Sequence, residues 1–274
     1  MTAAIGRARG ASLTLTVVSA VLGTAAGAVS GAQPAMGAGL AVAAAIGVGL
    51  LPVLRPRWSG SVVRDWTRAR SVSEALKSEV YLYVAGAGDY RGEDRGVRLA
   101  LATDRVREQA ADLLRHGAGI EPVDRGLPDV HDYQSYLAVR VGAQVDGYYR
   151  PKARHFQTRL RQFRRLQVAL SVVAVVLGAL ATRFTSWGLG SWLAVITTIT
   201  AAVAAHVASA RYEYQLIEYL RTADELSRLK RDATRTTSPT ALDEIVIRCE
   251  RIISIQNEGW MAKFSAIPDK DAEL

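Results

Sequence analysis

Four apolar runs, at 13–30, 36–54, 168–180 and 189–208, constrain this 274-residue chain more than any other feature. The stretches between them are densely charged. A water-soluble fold has no use for uninterrupted apolar runs of about 18–20 residues, the length a helix needs to cross the hydrocarbon of a bilayer. The third run is the shortest, but 166–184 is broken only by Gln167, Ser171 and the terminal Thr182 and Arg183. The pattern predicts an all-α membrane protein: two transmembrane helical hairpins, four spans, carrying amphipathic helical bundles in the cytoplasm. Arg7 and Arg9 before the first run would suit a cleaved signal peptide. A second run follows almost at once, so the pair reads as a retained hairpin.

Where the charges sit matters more than the net +8. Arg55, Arg57 and Arg64 follow the second run, and Lys152, Arg154, Arg159, Arg161, Arg164 and Arg165 crowd the approach to the third. Basic residues beside spans set orientation and attract anionic lipid headgroups. This placement argues for a bilayer partner and against nucleic acid. The connectors 31–34 and 185–188 carry no charge and are predicted as short exterior turns, with both termini and 55–165 in the cytoplasm.

Outside the runs, apolar residues recur at helical spacing. Val62, Trp66, Ala69, Val72, Leu76, Val80 and Tyr83 mark one helix; Leu99, Ala102, Val106, Ala110 and Leu113 mark a second. The glycines at 86, 88, 92 and 96 between them lack the Lys-Ser/Thr ending of a phosphate-binding loop and read as a turn. A loop rich in Gly and Pro follows at 117–128 and is the best boundary. A long helix is expected from Asp129, read as its N-cap, with a kink or break at Pro151. Tyr212, Leu216, Tyr219, Ala223 and Leu226 define a further helix. Ser238 and Pro239 open the last one, whose stripe is Ile245, Cys249, Ile252, Gln256, Trp260 and Phe264. Trp66, Arg68, Leu76 and Lys77 recur as Tyr219, Arg221, Leu229 and Lys230 at a constant offset. This predicts two hairpin-plus-helix units, 1–125 and 126–274, the second with spans near 167–184 and 188–208.

Candidate functional positions are few. Gly23, Gly27 and Gly31 in the first span, and Gly39 and Gly47 in the second, form stripes that let helices approach closely, within the hairpin or between protomers. Thr197, Thr198 and Thr200 could line a polar pore or bond back to their own helix. No acid or lysine lies near the middle of a span, which counts against an ion-coupled carrier. The four histidines lack metal-site spacing and no nucleophile–base pair is recognisable, so neither an enzyme nor a cofactor or metal site is predicted. The single cysteine, Cys249, rules out a disulfide framework and reads as a small buried hydrophobe.

Two stretches are distinctive. One runs from Tyr136 through Arg140, Gln144, Tyr148 and Tyr149 to Ala153; the other runs from Glu250 through Gln256 and Asn257 to Trp260. With the hairpin between them they resemble the SLATT family, two-helix membrane effector domains found beside nucleotidyltransferases and nucleotide-sensing proteins in bacteria. Tyr148-Tyr149 stands where relatives often show Trp-Tyr. The resemblance covers about 130–265, with the first half as a diverged second copy. It implies an oligomeric effector of the bacterial inner membrane, pore-forming or membrane-disrupting, acting in phage defence with a nucleotide-sensing or nucleotide-synthesising partner. The alternative is a non-conducting scaffold that recruits cytoplasmic partners. Tyr136, Arg140, Gln144, Tyr148, Tyr149, Glu250, Gln256, Asn257 and Trp260 would form a cytoplasmic latch, either as plain packing or as a switch. Arg140 would pair with Glu250 or Glu258.

Overall fold

The computed structural model describes residues 2–54, 60–116, 119–121, 123, 126–184 and 189–265, with side chains for those between 10–52 and 65–254. Among the described residues the chain is helical and contains no strand. Four of its helices are long and apolar enough to cross a membrane. α1 (Thr2–Val29) and α2 (Pro34–Leu54) form the first hairpin. Pro34 opens α2, where a missing N–H costs nothing. α3 (Gly60–Ala85) and α4 (Arg95–Glu108) follow. One continuous helical rod then comprises α5 (Tyr133–Tyr136), a π-helical segment (Leu137–Tyr149) and α6 (Arg150–Arg183). α7 (Leu189–Ala210), α8 (Tyr212–Ala233) and α9 (Pro239–Ser265) complete the chain.

The helices divide into two compact units, each drawing on both halves of the chain. The first holds residues 1–57 and 155–216, and so all four apolar spans. Here α1 packs on α2 and also on α7. The α1–α2 seam is built from Ser19 and Ala26 against Gly37, Ala44 and Gly47, at steps of seven and three that fit the spacing of a coiled-coil seam. α6 and α7 meet through Phe163, whose ring lies 5.4 Å from that of His206 and stacks at 5.8 Å on Tyr212. Arg211, at φ 49°, breaks the path from α7 into α8; the left-handed region is costly for a residue with a Cβ.

The second unit holds residues 58–154 and 217–274. α3 is half-buried nearly all round because α4 and α9 cover different sides of it. Arg68 forks onto Asp112, and Asp65 meets Arg115 at 2.7 Å and His116 at 2.9 Å. The turn after α3 uses Gly86 and Gly88 at φ 63° and 61°. It docks on α9: the Gly88 N–H donates to Asp243 at 2.7 Å, and Arg91 reaches the same carboxylate at 3.1 Å.

Three sequence expectations shift. Asp132, not Asp129, caps the long helix, because its carboxylate accepts from the Ser135 N–H at 2.7 Å while Asp129 stays exposed beside His131. Pro151 neither breaks nor ends the rod. The proline falls where the π-helical segment gives way to α6, just after the last i→i−5 bond (Arg150 N–H to Val145), at the second residue of α6, where its missing N–H does not interrupt an established α-helical ladder. On α9 the buried face is Val246, Cys249, Glu250 and Ile253, rotated by about 100° per residue from a stripe through Ile245 and Ile252.

Candidate functional site

The side chains with the most chemistry in the second unit converge on Glu250. The helix that presents them starts at a capping box: Asp132 accepts from the Ser135 N–H, and Ser135 Oγ accepts from the Asp132 N–H at 3.0 Å. The Ser135 backbone N–H and then its hydroxyl hold the Asp132 carboxyl below the usual carboxylate range. Immediately afterwards the backbone widens into thirteen π-helical residues. Leu137, Val141, Val145 and Tyr149, four apart, are buried along one side, with Tyr136 and Arg140 beside them. Long π-helical stretches are rare and concentrate at functional positions.

Arg140 is 4% exposed and Glu250 on α9 is 2% exposed. Their contact is bidentate: Nε donates to Oε1 at 2.9 Å and Nη2 to Oε2 at 2.9 Å. Tyr136 Oη donates to the same Oε1 at 2.9 Å. The Tyr81 ring of α3 lies 4.3 Å from the guanidinium carbon and meets Tyr136 edge-on at 6.4 Å. Burial opposes the charge on Arg140, but the hydrogen bonds and charge of Glu250 outweigh it and raise its pKa. Burial, then the Glu250 charge, pushes the Tyr136 hydroxyl far above the ordinary phenol value, so it stays a donor. Cys249 is fully buried next door, and burial and then Glu250 push its thiol up to about 12. Taking two charges out of water costs several kcal/mol per ion, and full pairing of the fork and both carboxylate oxygens offsets it.

A second cluster lies further along the π-helical segment. Tyr148 and Tyr149 meet edge-on at 5.2 Å, and both contact Tyr219 of α8 at 6.0 and 6.1 Å. Arg70 of α3 donates to Tyr148 Oη at 3.3 Å, and Lys152 lies 6.0 Å from the same ring. Gln144 is half-buried between the two clusters. The side chains of Gln256, Asn257, Glu258 and Trp260 lie outside the described residues.

In the first unit the five glycines separate. Gly47 belongs to the hairpin seam against Ser19 and Leu15, and a Cβ on Gly23 would rest 3.8 Å from Ala44. Among the described residues, Gly27, Gly31 and Gly39 have nothing beyond their own helix and chain neighbours within 4 Å of a Cβ position. Packing within the hairpin therefore does not account for these three: the seam repeats about every 3.5 residues and leaves an i, i+4 stripe behind. Gly37, outside both stripes, makes the closest approach to backbone; a Cβ there would sit 2.8 Å from Ser30 Cα, whereas one on Gly47 would meet the Ser19 side chain. Thr197, Thr198 and Thr200 each donate to the carbonyl four residues back, at 2.8–2.9 Å. Among the described residues no group of three His, Cys, Asp or Glu side chains is placed to hold a metal ion.

Residues 136–260, which bracket the Arg140–Glu250 pair and the α6–α7 spans, match the family model of the SMODS and SLOG-associating 2TM effector domain 1. This segment is similar to the SLATT family. Residues 1–96 match a different model, a family described only as a protein of unknown function (DUF4231). Comparison with curated proteins and with solved structures found no significant match. The SLATT segment supplies both partners of the buried ion pair, while Tyr81, packed on it, comes from the part that matches the other family. Sequence reasoning missed Tyr81, Tyr219 and Arg70. For Tyr219 a signal existed, since the internal repeat aligned it with Trp66.

Proposed function

We propose that the chain is a membrane effector of the bacterial inner membrane, an oligomer that perforates or disrupts the bilayer in a nucleotide-linked defence system. The observation that carries this reading is the match of 136–260 to a two-transmembrane effector family, over a segment containing an apolar hairpin. The second unit and both termini face the cytoplasm, and the chain is a tandem of hairpin-plus-helix units, 1–125 and 126–274. The Tyr136–Arg140–Glu250 cluster, with Tyr81, is the resting latch, and a nucleotide-sensing or nucleotide-synthesising partner relieves it. Gly27, Gly31 and Gly39, open within the chain, serve contacts between protomers. Thr197, Thr198 and Thr200 become pore-lining only if they turn from the carbonyls that now hold them.

The test is induced expression with a membrane-potential dye. Wild type depolarises cells when its genomic neighbours are present and phage is added, and Glu250→Gln, which breaks the latch, depolarises without that signal. Gly27→Leu shrinks oligomers on native gels and lowers depolarisation in step. External labelling reaches a cysteine placed at Ala32 and misses one at Ser135. The second reading, a non-conducting scaffold, rests on the same bundle and predicts no depolarisation from any variant; that result, with labelling as stated, replaces the effector reading.

A further inference from the structure

The end of α6 next to its apolar span presents one face on which charge and hydrocarbon are arranged along the helix axis. From Arg150 through Tyr212 the chain contains no acidic residue. α6 turns Ala153, Phe156, Leu160 and Phe163 inward, buried or half-buried, and exposes Arg159, Arg161, Arg164 and Arg165. None of these four arginines has an ion pair among the described residues, in contrast to Arg140 or Arg68. At about 100° per residue, Arg161 and Arg165 share a face with Val168, Val172, Val175 and Val176, at steps of three and four. Those valines are 59%, 58%, 72% and 51% exposed. Phe163 stacks on Tyr212, which brings the exposed Arg211 to the same level; Glu213 is the acid beside it.

We propose that this face is a docking surface for an anionic phospholipid, with Arg161 and Arg165, flanked by Arg164, on the phosphate and the valines along one acyl chain. The headgroup layer of a leaflet is roughly 5–7 Å deep, and α6 rises about 1.5 Å per residue. If hydrocarbon starts at Leu166, Arg165 and Arg164 lie in that layer and Arg161 at its edge. A guanidinium fork binds phosphate oxygens in pairs, and here the stripe is all arginine, with no lysine. A second copy of the chain is a poor occupant, because parallel packing through this face brings the same arginines together. A soluble polyanion would satisfy the arginines and leave the valines in water.

The experiment uses the full chain in a non-ionic detergent, titrated with phosphatidylglycerol, phosphatidylcholine or inorganic phosphate, with thermal unfolding and native mass spectrometry as readouts. Phosphatidylglycerol raises the unfolding midpoint and is retained; the other two do neither. A basic side chain near an anionic surface contributes about five-fold in binding, so Arg161→Gln/Arg165→Gln binds phosphatidylglycerol about 25-fold more weakly. Arg161→Lys/Arg165→Lys keeps the charge that orients the span, yet loses the fork and binds several-fold more weakly. Equal retention of phosphatidylcholine by wild type overturns the proposal, as does an equal shift with inorganic phosphate. Lipid binding unchanged in the folded Gln or Lys variants overturns it too. The inference needs α6 in a membrane and stands or falls separately from perforation, which the dye assay reads.

Discussion

Because Cys249 is the only cysteine and is fully buried beside Glu250, its reaction with a maleimide reports opening of the bundle without any engineered label. A thiol pushed up to about 12 reacts negligibly while the bundle is closed, so the labelling rate tracks the open fraction. Glu250→Gln leaves Arg140 charged, 4% exposed and without its counter-ion. Removing one partner of a buried pair costs about 3–5 kcal/mol. At about 1.4 kcal/mol per factor of ten, labelling accelerates by about 10²- to 4 × 10³-fold. Arg140→Met, which leaves the carboxylate stranded, gives an acceleration of the same order.

The combination decides the mechanism. In Arg140→Met/Glu250→Leu no charge is stranded, and replacement of a buried pair by apolar groups is often neutral or stabilising. The Tyr136 hydroxyl alone loses its acceptor, at a cost of about 1–3 kcal/mol. Adding Tyr136→Phe removes that cost, so the triple variant labels about as slowly as wild type. If the double variant labels at the product of the two single accelerations, the side chains act independently and the latch geometry is refuted.

Two further outcomes follow from the same structure. Gly37→Leu drives a side chain into the Ser30 backbone and costs the hairpin about 1–3 kcal/mol, whereas Gly27→Leu leaves the melting temperature of the detergent-dispersed monomer unchanged; equal melting of the two monomers would falsify the seam. For Asp132 the folded pKa is depressed, so its contribution is complete above the unfolded value near 3.8 and fades as pH falls through the folded one. Asp132→Asn, which keeps a capping oxygen but does not titrate, therefore flattens the loss of helicity below about pH 4, measured by circular dichroism against wild type.

The spans were legible because about twenty apolar residues in a row admit few structures in water. The exposed face of α6 was half legible: its arginines were conspicuous, but their register with the valines needs one unbroken helix from 159 to 176. The α8 face was read correctly through Tyr219, Ala223 and Leu226, whereas α3, half-buried nearly all round, presents no single face to read and exposes Ala69. The stripe drawn through Ile245 and Ile252 went astray because apolar counting gives no place to Glu250, which is buried only because Arg140 reaches it. That pairing joins residues 110 positions apart, and the sequence left Glu250 and Glu258 as equals. Tyr81 was invisible for a related reason: its value lies in what its ring faces, not in its spacing. The π-helical segment has no signal in propensity, although Leu137, Val141, Val145 and Tyr149 repeat by fours, more slowly than an α-helix turns. Fixed i, i+4 counting picked out Gly27, Gly31 and Gly39, and the hairpin instead chose the slower drift through Ser19, Ala26, Gly37 and Ala44.

A buried ion pair is poor value as a source of stability, since an apolar triple variant would hold the bundle as well. What the charges add is discrimination between arrangements. Arg140 satisfies its fork only when α9 presents Glu250 at one rotation, and its face is covered only when α3 presents Tyr81. A slip of α9 by one residue strands two charges and a tyrosine hydroxyl together, whereas an apolar cluster would tolerate the slip. If the cluster is the proposed latch, this discrimination leaves the bundle closed in one way or open, with little between. The π-helical segment carries both this cluster and the Tyr148–Tyr149–Tyr219 cluster, so the two share one stretch of backbone. Two-state behaviour of this kind is what a latch requires, and it comes from the same residues that make the pair expensive to bury.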